Sequence, residues 1–454
     1  MLPEQMTSQE RRAAAALAGI FSLRMLGLFM ILPVFALYAE GLAGVTPLLV
    51  GLAIGVYGLT QALLQIPFGM LSDRIGRKPV IIGGLLLFAV GSLLAAMADS
   101  ITWIIIGRAL QGSGAIAAAV MALAADLTRE EHRTKVMAMI GLSIGVSFML
   151  AMIAGPILNH WVGVPGIFTL TGLLALLGIV IVAWVVPAPA SLRFHRDTEL
   201  EPACLRTVLG NRQLLRLDGG VMVLHLVLTA IFVVVPLGLR DSGLAPAQHW
   251  QVYLPVMSIS LILAVPLIIL AERRRMLKRI FNLGIALLFC SLLGLMLVWQ
   301  SWLAMALALL GFFIAFNLLE ASLPSLVSKF SPAASKGTAM GVYSTSQFFG
   351  AFLGGLLGGW SYSQFGPIGV FALGAGIVAL WQFAALSMRE PLYLASEMMR
   401  VSVDDDDAAR QMEQRLAAVP GVSEVSVSVE EGVAYLKVER HRLDRDALLA
   451  MAST

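Results

Sequence analysis

The chain has 454 residues, 58% of them hydrophobic and 13% charged, where soluble domains carry about a quarter charged residues; this excludes a soluble globular protein. A net charge of +3 is too small to argue for nucleic acid, and apolar runs of about 20 residues without alternation exclude a membrane β-barrel. The two cysteines, Cys204 and Cys290, stand far apart without metal-ligand spacing, so no disulfide framework is implied.

In chain order, apolar runs and their punctuation predict spans near 14–39, 48–71, 79–98, 101–125, 135–160 and 165–187, then near 219–240, 248–271, 278–298, 301–328, 336–362 and 367–388. Each is long enough to cross a roughly 30 Å hydrocarbon core as a helix. The expected fold class is therefore an all-α polytopic membrane protein with twelve transmembrane helices. The spans form a six-helix bundle in 1–187, a polar linker in 188–218 and a second bundle in 219–390. The linker carries Arg193, Arg196, Arg206, Arg212 and Arg216.

Lys and Arg fall on one side of these spans. Arg11, Arg12, Arg74, Arg77, Lys78, Arg129, Arg133, Lys135, the linker arginines, Arg273 to Arg275, Lys278, Arg279, Lys329, Lys336 and Arg389 share the side of the N-terminus, and Arg240 stands on the other. The positive-inside rule then puts both termini in the cytoplasm. The first apolar run is about twice the length of a signal-peptide core, so it is expected to be an uncleaved first helix.

The halves repeat in the same orientation. "LSDR" at Leu71 to Arg74 returns as "LAER" at Leu270 to Arg273, and "KVMAM" at Lys135 returns as "KGTAM" at Lys336. Two parallel six-helix repeats are the plan of a transporter with its substrate path between them.

After Glu390 the composition changes, and 399–454 reads as a small soluble α+β domain. A strand "MRVSV" precedes Asp404 to Asp407 at the head of an amphipathic helix reaching about Val419. Strands "EVSVSV" and "AYLKVER" and a helix of about Asp444 to Met451 follow. Successive aspartates suit a helix N-terminus, where unpaired amides favour negative charge. The βαββα order predicts a ferredoxin-like sandwich.

The segment Gly69-Met-Leu-Ser-Asp73-Arg74-Ile-Gly76-Arg77-Lys78 is similar to the loop pattern G-x-L-A-D-R-x-G-R-K of the major facilitator superfamily, departing only at Ser72. Topology alone needs the bases but not an acid and two glycines. Gly69 permits close helix approach, Gly76 a tight turn, and Asp73 can accept from Arg77 or from helix N-terminal amides. The resemblance implies a latch between the cytoplasmic ends of spans two and eleven in the outward-open state, with Asp126 and the start of span eleven near Lys336 to Thr338 as partners. The second copy has Ile268 and Arg275 at the glycine positions, which predicts a weaker latch.

Span four holds "GRALQGSGA", Gly107 to Ala115, which resembles the family's R-x-x-Q-G-x-G. An arginine as deep as Arg108 costs roughly 2.5–3.5 kcal/mol on insertion scales and should face a cavity or a partner. The resemblance gives it a part in proton coupling; satisfaction by Gln111 or backbone carbonyls is the alternative. Gly112 and Gly114 read as packing residues. In span five Gly155-Pro156 is what remains of the antiporter pattern G-x-x-x-G-P-x-x-G-G, which leaves an antiport signature and a plain proline kink both open. Arg24, with Gly27 and Pro33 in span one, resembles a drug-exporter feature and leads the cavity candidates. Glu320 and Asn317 in span ten, His225 in span seven, and Gln61 and Gln65 in span two join it. Glu320 calls for protonation or a cationic partner; for His225 a packing role is the alternative.

The C-terminal segment "VPGVSEVSV" resembles heavy-metal-associated domains, but the loop that carries C-x-x-C there reads "VDDDDAA" here. The fold is kept and soft-metal delivery is not; an ion or a cytoplasmic partner stays open as this domain's ligand. No Walker motif, nucleophile triad or metal-ligand cluster is found, so neither an enzyme nor a cofactor is expected. The resemblance implies a secondary active transporter of the bacterial inner membrane, of the drug:proton antiporter-like branch. Proton-coupled efflux of a small amphipathic or apolar solute by alternating access is the expected activity. A membrane sensor signalling through the C-terminal domain and a nutrient symporter of the same fold are the alternatives.

Overall fold

A computed structural model describes residues 6–188, 204–332 and 335–448, except Ser402, Asp404, Glu430, Glu431, Arg440, His441, Arg445 and Asp446. Helix α1 (Ser8–Ala39) opens with a capping box between Thr7 and Glu10 and is interrupted at Met30 and Ile31, just ahead of Pro33. Then come α2 (Pro47–Ile75), α3 (Arg77–Ala96) and α4 (Ile101–Asp126), the last broken around Gly114.

Two helical runs of 51 residues each, Glu130–Val180 and Lys336–Leu386, measure about 77 Å at 1.5 Å per residue, more than twice a bilayer core. Each turns back at a glycine with positive φ followed closely by proline: Gly163 (φ 68°) before Pro165, and Gly366 (φ 65°) before Pro367. Glycine takes the left-handed conformation without penalty, and proline fixes the restart of the next helix. The runs are therefore α5 (130–162) with α6 (164–185), and α11 (336–365) with α12 (367–386). Between them lie α7 (Arg212–Asp241), α8 (Trp250–Arg273), α9 (Leu277–Leu297) and α10 (Trp302–Phe330). Among the described residues this makes twelve helices long enough to cross a membrane.

The expected linker overran its boundary. Residues 189–203, with Arg193 and Arg196, lie outside the described residues, but a short helix (Leu205–Gly210) follows and α7 is already helical from Arg212. Asn211 caps it, its side chain accepting from Gln213 N at 3.0 Å, so Arg212, Arg216 and Asp218 belong to the span.

The face where α1 begins and α12 ends carries nearly all the basic residues and is called the basic face. At the opposite face the halves are sealed. A Cβ at Gly55 of α2 would stand 2.7 Å from the Phe352 carbonyl of α11, and one at Gly359 of α11 would stand 2.5 Å from the Pro47 carbonyl. Deeper, at mid-span, Phe148 of α5 stacks on Phe316 of α10 at 5.8 Å between ring centres. Arg240 at the end of α7 forms a two-pronged pair with Glu40 beyond α1.

Beyond the spans, β1 (Ala395–Arg400), α13 (Asp406–Ala417), β2 (Val422–Ser428) and β3 (Val433–Val438) form an antiparallel sheet in the order β1-β3-β2. The first strand starts four residues before the expected "MRVSV" and stops at Arg400, because its register runs from Ala395 opposite Val438 to Arg400 opposite Val433. Asp405 caps α13, accepting from Ala408 N at 2.7 Å, which is the helix-terminus use expected of the aspartates. The closing helix expected over 444–451 lies largely outside the described residues. Leu416, Ala434, Leu436 and Val438 form the domain's own core.

Candidate functional site

Three polar assemblies contain the residues singled out in the sequence. The first ties the basic-face ends of α2, α3, α4 and α6. Gly76 (φ 99°) makes the turn between α2 and α3, which brings Arg77 back over the end of α2. There its buried guanidinium pairs with Asp73, donates to Ser72 Oγ at 2.9 Å, and reaches Asp126 Oδ2 of α4 at 3.2 Å. Ser72, the departure from the family pattern, is part of this network: its hydroxyl accepts from Arg77 and donates to the Gly69 carbonyl at 2.7 Å. Lys78 Nζ donates to the Val186 carbonyl after α6 at 2.5 Å. A Cβ at Gly69 would approach Ala118 Cβ of α4 to 3.1 Å, so the glycine serves close helix approach. Arg74 points away and is exposed.

The second assembly lies inside the first half. Arg24 and Arg108, each 1% exposed, flank the ring of Tyr57 at 5.8 and 5.2 Å from its centre. Arg24 donates to Gln61 Oε1 at 2.5 Å, and Gln61 reaches on to Gln65 at 3.4 Å. Arg108 donates to Gln111 Oε1 at 2.8 Å and to the carbonyls of Ala53 and Ile54 at 3.3 and 3.4 Å. Gln111 in turn donates to Ser92 Oγ at 2.8 Å. Arg108 thus has both of the satisfying partners its alternative reading named. Arg24 Nε and Nη1 have no hydrogen-bond partner among the described residues, and the face of Tyr57 supplies cation–π attraction there.

The third assembly is in the second half. His225 of α7, Gln347 of α11 and Glu320 of α10 meet at mid-span. Gln347 Nε2 lies 2.8 Å from His225 Nε2 and donates to Glu320 Oε1 at 3.2 Å, and His225 Nδ1 lies 3.2 Å from the Val221 carbonyl. This is the pattern of a neutral imidazole that donates from Nδ1 and accepts at Nε2. Glu320 Oε2, 3.8 Å from His225 Nε2, has no hydrogen-bond partner among the described residues. Tyr343, one turn from Gln347, lies within electrostatic reach of both Glu320 and the buried Asp218. Asn317 is drawn elsewhere, donating to Ser260 Oγ of α8 at 3.1 Å.

Gly112 and Gly155 stand at close helix approaches. A Cβ at Gly155 would stand 2.6 Å from the Met30 carbonyl, at the break in α1, and Gly112 faces the Tyr57 carbonyl. Pro156 follows inside α5, which carries on to 162. Tyr57, Gln347, Asp218 and Tyr343 were missed in the sequence. Gln347 and Tyr343 carried a signal as polar groups inside an apolar run, whereas Asp218 was hidden by the linker assignment.

A family model for the Major Facilitator Superfamily matches residues 17–354. The chain is 48% identical over 436 residues to the Escherichia coli inner membrane transport protein YajR, covering 96% of each chain. It is also 36% identical over 337 residues to an uncharacterized transporter of Buchnera aphidicola, 74% of this chain and 86% of that one. Among solved structures, a bacterial homologue of the human lysosomal transporter Spinster, in an inward-facing and occupied conformation, superposes with a TM-score of 0.70 at 13% identity, covering 86% of this chain and all of that one. The human organic anion transporter MFSD10 superposes at 0.61 and 19% identity, over 84% of this chain and all of that one. The chain belongs to the Major Facilitator Superfamily of transporters.

Proposed function

We propose that this transporter exports a small amphipathic or apolar solute in exchange for protons across the bacterial inner membrane, with its basic face toward the cytoplasm. The observation that carries the reading is the Glu320–Gln347–His225 cluster. A carboxylate at mid-span is costly when charged, and among the described residues one Glu320 oxygen has no hydrogen-bond partner, 3.8 Å from His225 Nε2. Its side chain is 36% exposed while the unpartnered oxygen itself is buried, so the reading requires a path for protons to open to that oxygen.

Protonation removes the charge that Gln347 faces and frees that amide to change partners. Gln347 adjoins Phe348, whose ring lies 6.4 Å from Tyr57 and whose carbonyl meets Gly58 across the halves. The protonation state of Glu320 is thereby connected to the α2–α11 seal and to the ring held between Arg24 and Arg108. A bound proton shifts the balance of the two access states only by its difference in affinity for them. Arg77 with Asp73 and Asp126 braces the cytoplasmic ends of α2, α3 and α4 within the first half, and a latch across the halves further requires the start of α11 to close on this assembly in the outward-open state.

The test is substrate-dependent proton flux in liposomes. The parent should move protons opposite to solute, and Glu320→Gln should keep solute binding while losing pH-driven counterflow. Uptake of solute together with protons would sink the exporter reading in favour of a symporter.

A second reading, a membrane sensor, is favoured by the docking of the C-terminal sheet on the spans: Lys437 of β3 donates to the Lys329 and Ser331 carbonyls at the end of α10. It predicts that reconstituted protein moves no solute and that the domain captures a soluble partner.

A further inference from the structure

Two buried groups of the second half stand outside the hydrogen-bonded cluster at Glu320. Asp218 of α7 is 6% exposed, and its Oδ2 has no hydrogen-bond partner among the described residues. Tyr343 of α11 is 4% exposed, and its hydroxyl has none either. Glu320 Oε2 is in the same condition, so two carboxylates and a phenol each keep a buried oxygen unengaged. Tyr343 lies within electrostatic reach of both acids. A buried polar atom left unpaired is destabilising, and three in one half call for a use.

The helix register puts them in order. Both α7 and α11 start at the basic face and run together: a Cβ at Gly350 would meet the backbone of Met222, one at Gly354 that of Leu226 and one at Gly358 that of Ala230. Asp218 is one turn before Met222 in that row, and Tyr343 is two turns before Gly350. At 1.5 Å per residue, Tyr343 stands about 6 Å nearer the basic face than Gln347, and Asp218 about 10 Å nearer than His225.

Around Asp218, α11 offers Tyr343, with Lys336 at its start, and α10 offers Glu320. Residues 367–386 of α12 hold no titratable side chain and place Trp381 against Gly220. On α7 itself His225 is bound into the Glu320 cluster, Arg212 is exposed, and Arg216 donates to the Ser387 carbonyl at 2.9 Å. Arg206 of the short helix is exposed, and α1 brings Glu40 only to the far end of α7, where Arg240 holds it.

We propose that Asp218 is a second proton-binding group and that Tyr343 passes protons between it and Glu320, forming the route from mid-span to the basic face. The proposal rests on Glu320 being the coupling carboxylate, and it supplies the path that the buried Glu320 oxygen requires. A carboxylate buried without a partner is costly while charged, and a proton removes the charge. A phenol both donates and accepts. In one transfer the Tyr343 oxygen takes the proton of the Glu320 carboxylic acid and gives its own hydrogen to the Asp218 carboxylate. Glu320 is left ionised, Asp218 neutral and the phenol unchanged. The hydroxyl is bonded to neither acid in this state, so each transfer takes a bridging water or the packing change that switches access. Asp218, about 9 Å along α7 from Arg212, then releases the proton toward the basic face.

The test reads carboxyl protonation and needs no solute. The full chain in nanodiscs is titrated with acid while infrared difference spectra follow the C=O stretch of protonated carboxyls, then moved into heavy water to time the exchange of each proton. Asp218→Asn and Glu320→Gln should each remove one band. In Tyr343→Phe both bands should remain while exchange at Glu320 slows by about a hundredfold, the lower range of what a positioned proton-transfer group contributes. Asp218→Asn should slow it likewise. Tyr253 of α8, also buried with an unpartnered hydroxyl, is the control, and Tyr253→Phe should exchange at the parent rate. An Asp218→Asn protein that loses no band, parent-rate exchange in Tyr343→Phe, or equal slowing in Tyr253→Phe overturns the relay alone. A Glu320→Gln protein that loses no band sinks the coupling role of Glu320, and the relay with it. If Asp218→Asn does not fold, the exchange rate in Tyr343→Phe decides.

Discussion

At the scale of single residues, Arg77 shows how much one side chain does in the basic-face assembly. It spans two carboxylates that belong to different helices, and the Asp126 side chain is fully buried while that of Asp73 is 38% exposed. Breaking a buried pair by removing one partner costs about 3–5 kcal/mol, because the remaining charge loses its compensation; the exposed partner contributes far less. Arg77→Ala should therefore lower the thermal midpoint sharply, and Arg77→Lys should recover only part of it, since an ammonium cannot serve both acids and Ser72 with a planar fork. Adding Asp126→Asn to Arg77→Ala should restore much of the loss, whereas adding Asp73→Asn should restore little. A double-mutant cycle in detergent reads this directly. Equal recovery from both asparagines would place the energy elsewhere.

At the scale of elements, the second copy of this hairpin shows what a sequence repeat reveals and what it conceals. Residues 199 apart occupy equivalent places: Gly76 and Arg275 both turn with positive φ, at 99° and 55°. Arg275 is the one non-glycine residue with positive φ among the described residues. The loss of glycine there was legible, but the backbone has kept its turn. The ion pairs changed instead. Met276 stands where Arg77 does and Ser325 where Asp126 does, so Glu272 takes a hydroxyl hydrogen bond from Ser325 at 2.6 Å and the ammonium of Lys329 at 3.2 Å. A left-handed conformation costs an L-residue about 1–2 kcal/mol, and Arg275 offsets part of this by lying over the Tyr393 ring at 5.7 Å. Arg275→Gly and Arg275→Val lose that ring contact equally, yet the β-branched variant should be about 1–2 kcal/mol less stable in thermal unfolding. Equal stabilities would mean the turn relaxes when the arginine leaves. The twelve spans were readable because apolar length and glycine–proline punctuation are local properties. The meeting of His225, Gln347 and Glu320 was not, since it depends on how three helices rotate about their axes when packed. Polarity alone could name Glu320 and His225 and marks Gln347 as well, but it could not say that this amide joins the other two.

At the scale of the whole molecule, alternating access requires that the seal at the opposite face come apart without unfolding either half. Its two components differ in kind. The Glu40–Arg240 pair links the halves between side chains 50% and 36% exposed, which places it among surface pairs worth about 0–1 kcal/mol and weakened by salt. The α2–α11 contact is steric: glycines let backbones touch, and at Gly55 an added Cβ would lie 2.7 Å from the Phe352 carbonyl. That contact cannot be kept with a methyl in place, so Gly55→Ala should shift the population toward the state in which the seal is parted. A reporter cysteine at Val50 of α2, 7% exposed and next to Gly51, whose Cβ would meet the Gly355 carbonyl of α11, reads the change when Cys204 and Cys290 are replaced by serine and an impermeant maleimide is applied from the opposite face. Labelling should quicken by about tenfold for a bias of roughly 1.4 kcal/mol in Gly55→Ala. Glu40→Gln should quicken it by less than about fivefold, and that smaller effect should vanish in high salt. A Gly55→Ala protein that stays monodisperse and labels at the parent rate would show that opening does not pass through the α2–α11 contact, and the hinge would then have to be sought where α1 breaks at Met30 against Gly155.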